Sequence, residues 1–248
     1  MKYTMSVSPD FSPKHIAGWY IFNTWLQVQL SHPIHLSLYD NFQVQRAAIE
    51  ADEIDIIYAS PFDAAMLIRD KGFLAIAKPK DKPDETIIAT SIDSSIESIE
   101  SLSSPIKIAK TDDPEVNMIG MIMLEPASLT SKNTHSHIVD TQVLVAKQLF
   151  QNQADIGFFL KESYDDLSAF IKRQLRILVS SQIHIITHSL LISPRIQALR
   201  DDIQTALLNM QNLPKGQGVL ESMNISAWEE QTQEDAEFMI DLMNTLQD

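Results

Sequence analysis

One step, taken twice, restricts what this chain can fold into. The stretch "EIDIIYASPFDAAML", Glu53 to Leu67, reads as a hydrophobic strand that stops at Ser60-Pro61 and becomes a helix. The stretch "QADIGFFLKESYDDL", Gln153 to Leu167, has the same outline. A polar cap opens the helix before each strand, at Asn41 and at Thr141, and an Asp-Ile pair opens each strand, at Asp55 and at Asp155. The two caps stand at the same offset as the two aspartates. Equal spacing in the same relative place points to an internal repeat of α/β blocks.

The flanking sequence fits two such blocks. Tyr3 to Ser8 reads as a first strand, and Ser12 followed by Pro13 opens a helix whose apolar face holds Ile16, Trp19, Tyr20, Asn23 and Leu26. "PIHLSLYD" is a second strand. The order βαβα predicts a parallel sheet covered by helices. It recurs after "TIIAT": a short helix in "SSIESIESL", a strand in "IKIAK", a helix capped at Asp113-Pro114, a strand in "HSHIVD", and the helix capped by Thr141. "QLRILVSS" and the longer "QIHIITHSLLIS" read as strands. Helices follow at Ser193-Pro194 and "LPKGQGVL", then a last one from Thr232 or Gln233 with Ala236, Phe238, Met239, Leu242 and Leu246 on its inner face. The expected organisation is α/β and two-lobed, with 1–87 plus 188–248 in lobe one, 90–184 in lobe two, and two hinge-strand crossings near 86–91 and 183–190.

Composition excludes several classes. Among 248 residues there is no cysteine, which removes disulfides, thiolate metal sites and cysteine nucleophiles. A net charge of -14 lacks the basic footprint of a nucleic-acid binder. No apolar run reaches the roughly 18 residues of a membrane span, so no membrane insertion is expected. "MKYTMSVSPDF" carries no apolar export segment, so the chain as written is expected in the cytoplasm, or in the periplasm if a leader was removed. No glycine-rich phosphate cradle appears, and no cofactor is expected.

In an open parallel sheet, ligands sit beyond the carboxyl ends of the strands, where helix N-termini present unpaired N–H groups. In lobe one these ends carry Phe11, Ser12, Tyr39, Ser60, Pro61 and Phe62. In lobe two they carry Thr111, Asp112, Asp113, Asn117 and Phe159, with His188 near the second crossing. Two jaws facing one cleft would hold a small polar ligand. Helix capping alone also explains the residue types at Ser12, Ser60, Thr111 and Asp113. One of Phe158 and Phe159 must face the core, because neighbouring strand residues point to opposite sides.

"SVSPDFSPKHIAGWY", "ADEIDIIYASPFDAAML" and "ALLNMQNLPKGQGVLESMNI" resemble the phosphate/phosphonate-type solute-binding proteins of ABC transporters, in order along nearly the whole chain. The resemblance implies a type II periplasmic-binding-protein fold, binding without catalysis, and an ABC permease or sensory protein as partner. It implies ligand hydroxyls at Ser12, Ser60 and Thr111. At the lobe-two turn the family carries hydroxyls where this chain has Asp112 and Asp113, and a carboxylate there repels phosphate. A ligand bearing an amine or neutral donors suits these acids better.

Other readings stand beside this one. His135 and His137 share a strand face and His184 and His188 are spaced to share one, yet neither pair forms a compact metal motif, and no metal is expected. Asp63, Asp112 and Asp113 would serve as acid or base if the chain were an enzyme on the same fold, as in the menaquinone pathway. A ligand-sensing lobe is the third alternative. The methionines at helical spacing read as core filler.

Overall fold

The computed structural model describes residues 3–247. The chain runs β1 (Tyr3–Val7), a 3-10 turn (Pro13–His15) leading into α1 (Ile16–Leu30), β2 (Ile34–Ser37), α2 (Phe42–Glu50), β3 (Ile56–Ala59), α3 (Pro61–Arg69) and β4 (Leu74–Pro79). It continues through β5 (Thr86–Ser91), β6 (Ile106–Lys110), α4 (Pro114–Met123), β7 (Thr134–Ile138), α5 (Gln142–Phe150), β8 (Ile156–Leu160), α6 (Lys161–Asp165), α7 (Ala169–Lys172) and β9 (Leu175–Ser180). The last part holds β10 (Ser189–Ile192), α8 (Arg200–Asn209), α9 (Pro214–Ser222), β11 (Trp228–Glu230) and α10 (Gln233–Gln247).

Two compact units result. One takes the chain up to Pro83 and again from Ile185 to Asn244; the other takes Asp84–His184 and the chain from Thr245 on. The passages between the main bodies of the two units therefore fall at 83/84 and 184/185. The segment 86–91 is a full member of the second unit's sheet, and 189–192 of the first's.

The first sheet has the order β11-β4-β10-β3-β1-β2 and the second β7-β6-β8-β5-β9. In the first, β1 pairs in parallel with β2 and β3, and β10 runs against both β3 and β4. In the second, β6 pairs in parallel with β7 and β8, and β5 runs against both β8 and β9. Each unit is thus a parallel trio with its earliest strand in the middle, followed by one antiparallel strand. That antiparallel strand is the one the chain makes on arriving from the other unit.

The repeat extends to single residues. Asp55 and Asp155 each clasp the start of the central strand. Thr4 N–H donates to Asp55 Oδ2 at 2.9 Å and Lys107 N–H to Asp155 Oδ2 at 2.7 Å, while the aspartate N–H groups return to Thr4 O and Lys107 O. Asn41 and Thr141 both cap, accepting from Val44 N–H and Leu144 N–H. Asp52 and Asn152, after the helices these residues open, both take left-handed φ, 56° and 54°.

Each sheet is covered on both faces. In the first unit, Phe22 meets the ring of Trp228 at 5.9 Å and Trp19 meets Tyr58 at 4.9 Å. Each such buried aromatic contributes about 1.5–3 kcal/mol. α1 touches α9 so closely at Gly18 that any Cβ there would collide with Ser222 O. In the second unit Phe158 and Phe159 are both fully buried, one in each of the clusters on opposite faces.

Some elements differ from the sequence reading. "SSIESIESL" yields only a 3-10 turn, Ile99–Ser101, because serines that bond their own backbone compete with helix. "QIHIITHSLLIS" is a strand only at Ser189–Ile192. Upstream the backbone turns away: His184 has φ 61°, its N–H donates to Glu85 Oε1, and Thr187 N–H meets Met239 Sδ. The buried stripe of α1 is Trp19, Phe22, Asn23, Trp25 and Leu26, while Tyr20 and Ile16 face outward. On α10, Ala236, Met239, Ile240 and Met243 are buried and Phe238 is 60% exposed. Thr232 caps α10, its hydroxyl accepting from Asp235 N–H while Asp235 accepts from Thr232 N–H.

Candidate functional site

In the first unit, polar groups gather where β1 and β3 end and β10 begins. β1 runs into Ser8, Asp10 and Ser12; β3 runs into Ser60; Ser189 of β10 pairs with Ala59. His188 Nε2 lies 3.1 Å from the carboxylate of Asp10, with side-chain exposures of 7% and 9%. The imidazole stacks on Tyr58, centroids 4.9 Å apart and planes 21° apart. Burial works against the Asp10 charge, but the charge and hydrogen bond of His188 and the Ser8 hydroxyl outweigh it, and its pKa falls below the ordinary carboxylate value.

Asp63, in the first turn of α3, is 1% exposed and pairs with Arg46 Nε at 2.5 Å. Burial raises its pKa, Arg46 pulls the other way, and the Asp10 charge adds to the rise. The Arg46 guanidinium lies over the rings of Phe42 and Phe62, at 5.2 and 5.1 Å. On α2, Gln45 ties the helix to β1, donating to Ser6 Oγ and Val7 O at 2.8 Å. The first unit's charges at this edge are therefore matched with one another.

The hydroxyls divide by function. Ser60 is fully buried and caps α3, accepting from Asp63 N–H at 3.2 Å. Ser12 precedes a proline but makes no capping bond, and its hydroxyl has no partner among the described residues. Ser189 Oγ is buried without a partner among the described residues. Phe11 is half-buried against the first core, Pro61 is buried, and Phe62 is 39% exposed. Tyr39, half-buried after β2, stands apart: burial and the Glu53 carboxylate raise its pKa, against a hydrogen-bonding contribution from Ser37 that lowers it.

In the second unit the corresponding edge is the turn after β6. Asp113 caps α4 through Val116 N–H at 3.0 Å, and Asp112 is exposed. Asn117 Nδ2 donates to Thr111 O at 3.0 Å, and Gln142 Nε2 donates to Thr111 Oγ1 at 3.4 Å. So Thr111 is gripped by two amides, one from α4 and one from α5. Phe159 does not belong to this edge. It is 0% exposed and meets Tyr164 in the core, because β8 has helices on both sides and leaves no open face.

The structure thus gathers Phe11, Ser12, Ser60, Pro61, Phe62 and His188 in one unit and Thr111, Asp112, Asp113 and Asn117 in the other. The paired reading of His184 and His188 fails: His184 is in the second unit at the end of a bent segment, His188 in the first against Asp10. The sequence reading passed over Asp10, Arg46, Tyr58, Ser189, Lys110 and Gln142. For Lys110 a signal existed, since it continues the buried phase of Ile106 and Ile108. Asp10 and Tyr58 became visible only once β10 brought His188 to them, and Arg46 only once α2 lay beside the start of α3. An apolar groove of about 990 Å³ between α1 and α9, lined by Ile21, Trp25, Val28 and Leu213 among others, shares none of these residues.

A family model described as the periplasmic substrate-binding protein of a phosphonate ABC transporter matches residues 5–236. Among solved structures, PhnD1 from Prochlorococcus marinus, in complex with methylphosphonate, superposes with a TM-score of 0.84 at 12% identity, covering 99% of this chain and 98% of that one. A binding-protein component of an ABC phosphonate transporter from Pseudomonas aeruginosa gives 0.77 at 13% identity, covering 100% and 89%. The periplasmic aliphatic sulphonate binding protein SsuA from Escherichia coli gives 0.66 at 12%, covering 98% and 87%. No curated protein matches. These likenesses show the fold: two α/β units with mixed sheets, that of type II periplasmic binding proteins.

Proposed function

Because the chain belongs to the family of phosphonate ABC transporter periplasmic substrate-binding proteins, a family that binds without catalysing, we propose that it holds a small phosphonate-type solute and delivers it to an ABC permease from the periplasm. The observation that carries this reading is local. The central strand of each parallel trio, β1 and β6, ends in a hydroxyl-bearing turn: Ser8 to Ser12 in one unit and Thr111 in the other. In folds of this kind ligands bind beyond the carboxyl ends of such strands, at the point where strand order reverses.

Ser12 and Thr111 have hydroxyl protons with no acceptor among the described residues, and such donors suit phosphonate oxygens. When ionised, Asp10 and Asp63 accept and cannot donate, so they favour an organic substituent that carries N–H or O–H donors. Ser60 acts as a helix cap. Its removal costs stability of about 1 kcal/mol and leaves affinity nearly unchanged.

Titration calorimetry with methylphosphonate tests this reading. The parent binds saturably; Ser12→Ala and Thr111→Ala each weaken binding roughly ten- to hundredfold, as the loss of one hydrogen bond to a charged group does. If both alanine variants bind as tightly as the parent, the solute sits elsewhere.

A further inference from the structure

We propose that Lys110 and Thr111 together form the oxyanion-recognition element of this protein. The Lys110 ammonium supplies the positive charge, and the Thr111 hydroxyl donates to one oxygen of a small tetrahedral phosphonate. The proposal rests on the phosphonate-binding reading and names the group that neutralises the solute.

The register of the repeat marks Lys110 first. The aspartate clasps make Thr4 and Lys107 equivalent, so Val7 and Lys110 occupy the same place on their strands, and Ser8 and Thr111 follow them. Val7 is 0% exposed within the first unit's core. Lys110 keeps the inward phase of Ile106 and Ile108, both buried, and yet ends in an ammonium. It closes β6, the central strand of its trio, with β7 and β8 on either side.

The charge is also unanswered. Among the described residues the Lys110 ammonium has no carboxylate and no hydrogen-bond partner; its backbone carbonyl accepts from Val139 N–H. Burial lowers its pKa, and no neighbouring anion raises it again. Asp112 and Asp113 therefore do not neutralise it, although they follow it directly in the chain; Asp113 Oδ1 is taken by the start of α4. In the first unit each buried charge at the matching edge has its partner, Asp10 with His188 and Asp63 with Arg46. A half-buried cation without a counter-charge, in a chain of net charge -14, is an unfavourable arrangement that a bound anion relieves.

Thr111 completes the element. Its hydroxyl accepts from Gln142 Nε2, so its own proton points to some other acceptor. The two amides that grip Thr111 leave their carbonyl oxygens, Asn117 Oδ1 and Gln142 Oε1, buried and without partners among the described residues. A singly protonated phosphonate offers negative oxygens to Lys110 and Thr111 and one P–OH to such a carbonyl. A sulfonate has no hydroxyl to offer, so the element favours phosphonate over sulfonate.

The test is titration calorimetry of the full chain at fixed pH and salt, with methylphosphonate and methanesulfonate as probes, and thermal unfolding without ligand. Lys110→Met weakens methylphosphonate binding roughly ten- to hundredfold, the loss of one hydrogen bond to a charged group. Lys110→Arg retains most of the affinity, and the parent binds methanesulfonate less tightly than methylphosphonate. Without ligand, Lys110→Met unfolds at the parent temperature or above it, because an unpaired charge has been removed. Equal methylphosphonate affinities for the parent and Lys110→Met overturn the assignment and leave the family reading standing. A parent that binds neither probe overturns both. Early unfolding of unliganded Lys110→Met makes the lysine structural and overturns the assignment, and equal affinity of the parent for the two probes removes the role given to the carbonyls.

Discussion

At the scale of single residues, pairs of charges govern the first unit's polar edge. Asp10 keeps its proton off because His188 stands against it, despite burial. A carboxyl whose pKa is lower in the folded chain binds fewer protons there than when unfolded, so it stabilises above its ordinary pKa of about 4 and loses that contribution as pH falls through the lowered value. Asp10→Asn should therefore unfold at a lower temperature than the parent at neutral pH, and the gap should close in acid, read from melting curves across pH. A gap that widens in acid would mean that the pair does not hold Asp10 ionised. The turns that carry Ser12 and Thr111 were legible in the sequence, because a strand that stops shortly before a proline-opened helix is a local pattern. Asp10 was not, since its partner His188 lies far along the chain and only β10 brings it close.

At the scale of elements, the repeat resides in the aspartate clasps. Asp55 is fully buried and holds Thr4 N–H, Arg195 Nε at 2.7 Å and Ser193 Oγ at 3.4 Å, whereas Asp155 holds Lys107 N–H and accepts through its carbonyl from Thr90 Oγ1. Asp55→Ala strands several buried groups and should cost about 2–3 kcal/mol. Asp155→Ala should cost about half as much, both read from denaturant midpoints. Equal costs would argue that the network of Arg195 and Ser193 around Asp55 contributes nothing. Paired strands and capped helices were readable because alternation, caps and prolines are local signals. The bend at 182–188 was not: a run of β-branched residues predicts a strand, and the Glu85 carboxylate, which takes the His184 N–H, redirects it.

At the scale of the molecule, the chain builds one plan twice: β5 opens the second unit's sheet, and β10 returns to complete the sheet that β1 began. The doubled strand-to-helix step made that plan visible in advance; the exact points of passage were not, because strand-forming residues continue across 86–91 and 183–190 without a break in composition. The solute reading depends on the family and on the two hydroxyl-bearing turns, and it concerns binding without chemistry. Equilibrium dialysis of the purified chain against methylphosphonate, with phosphorus NMR of the recovered solute, tests it most directly. The account predicts one methylphosphonate retained per chain at saturation and returned unchanged on denaturing the protein; no retention, or a new phosphorus species, would contradict it.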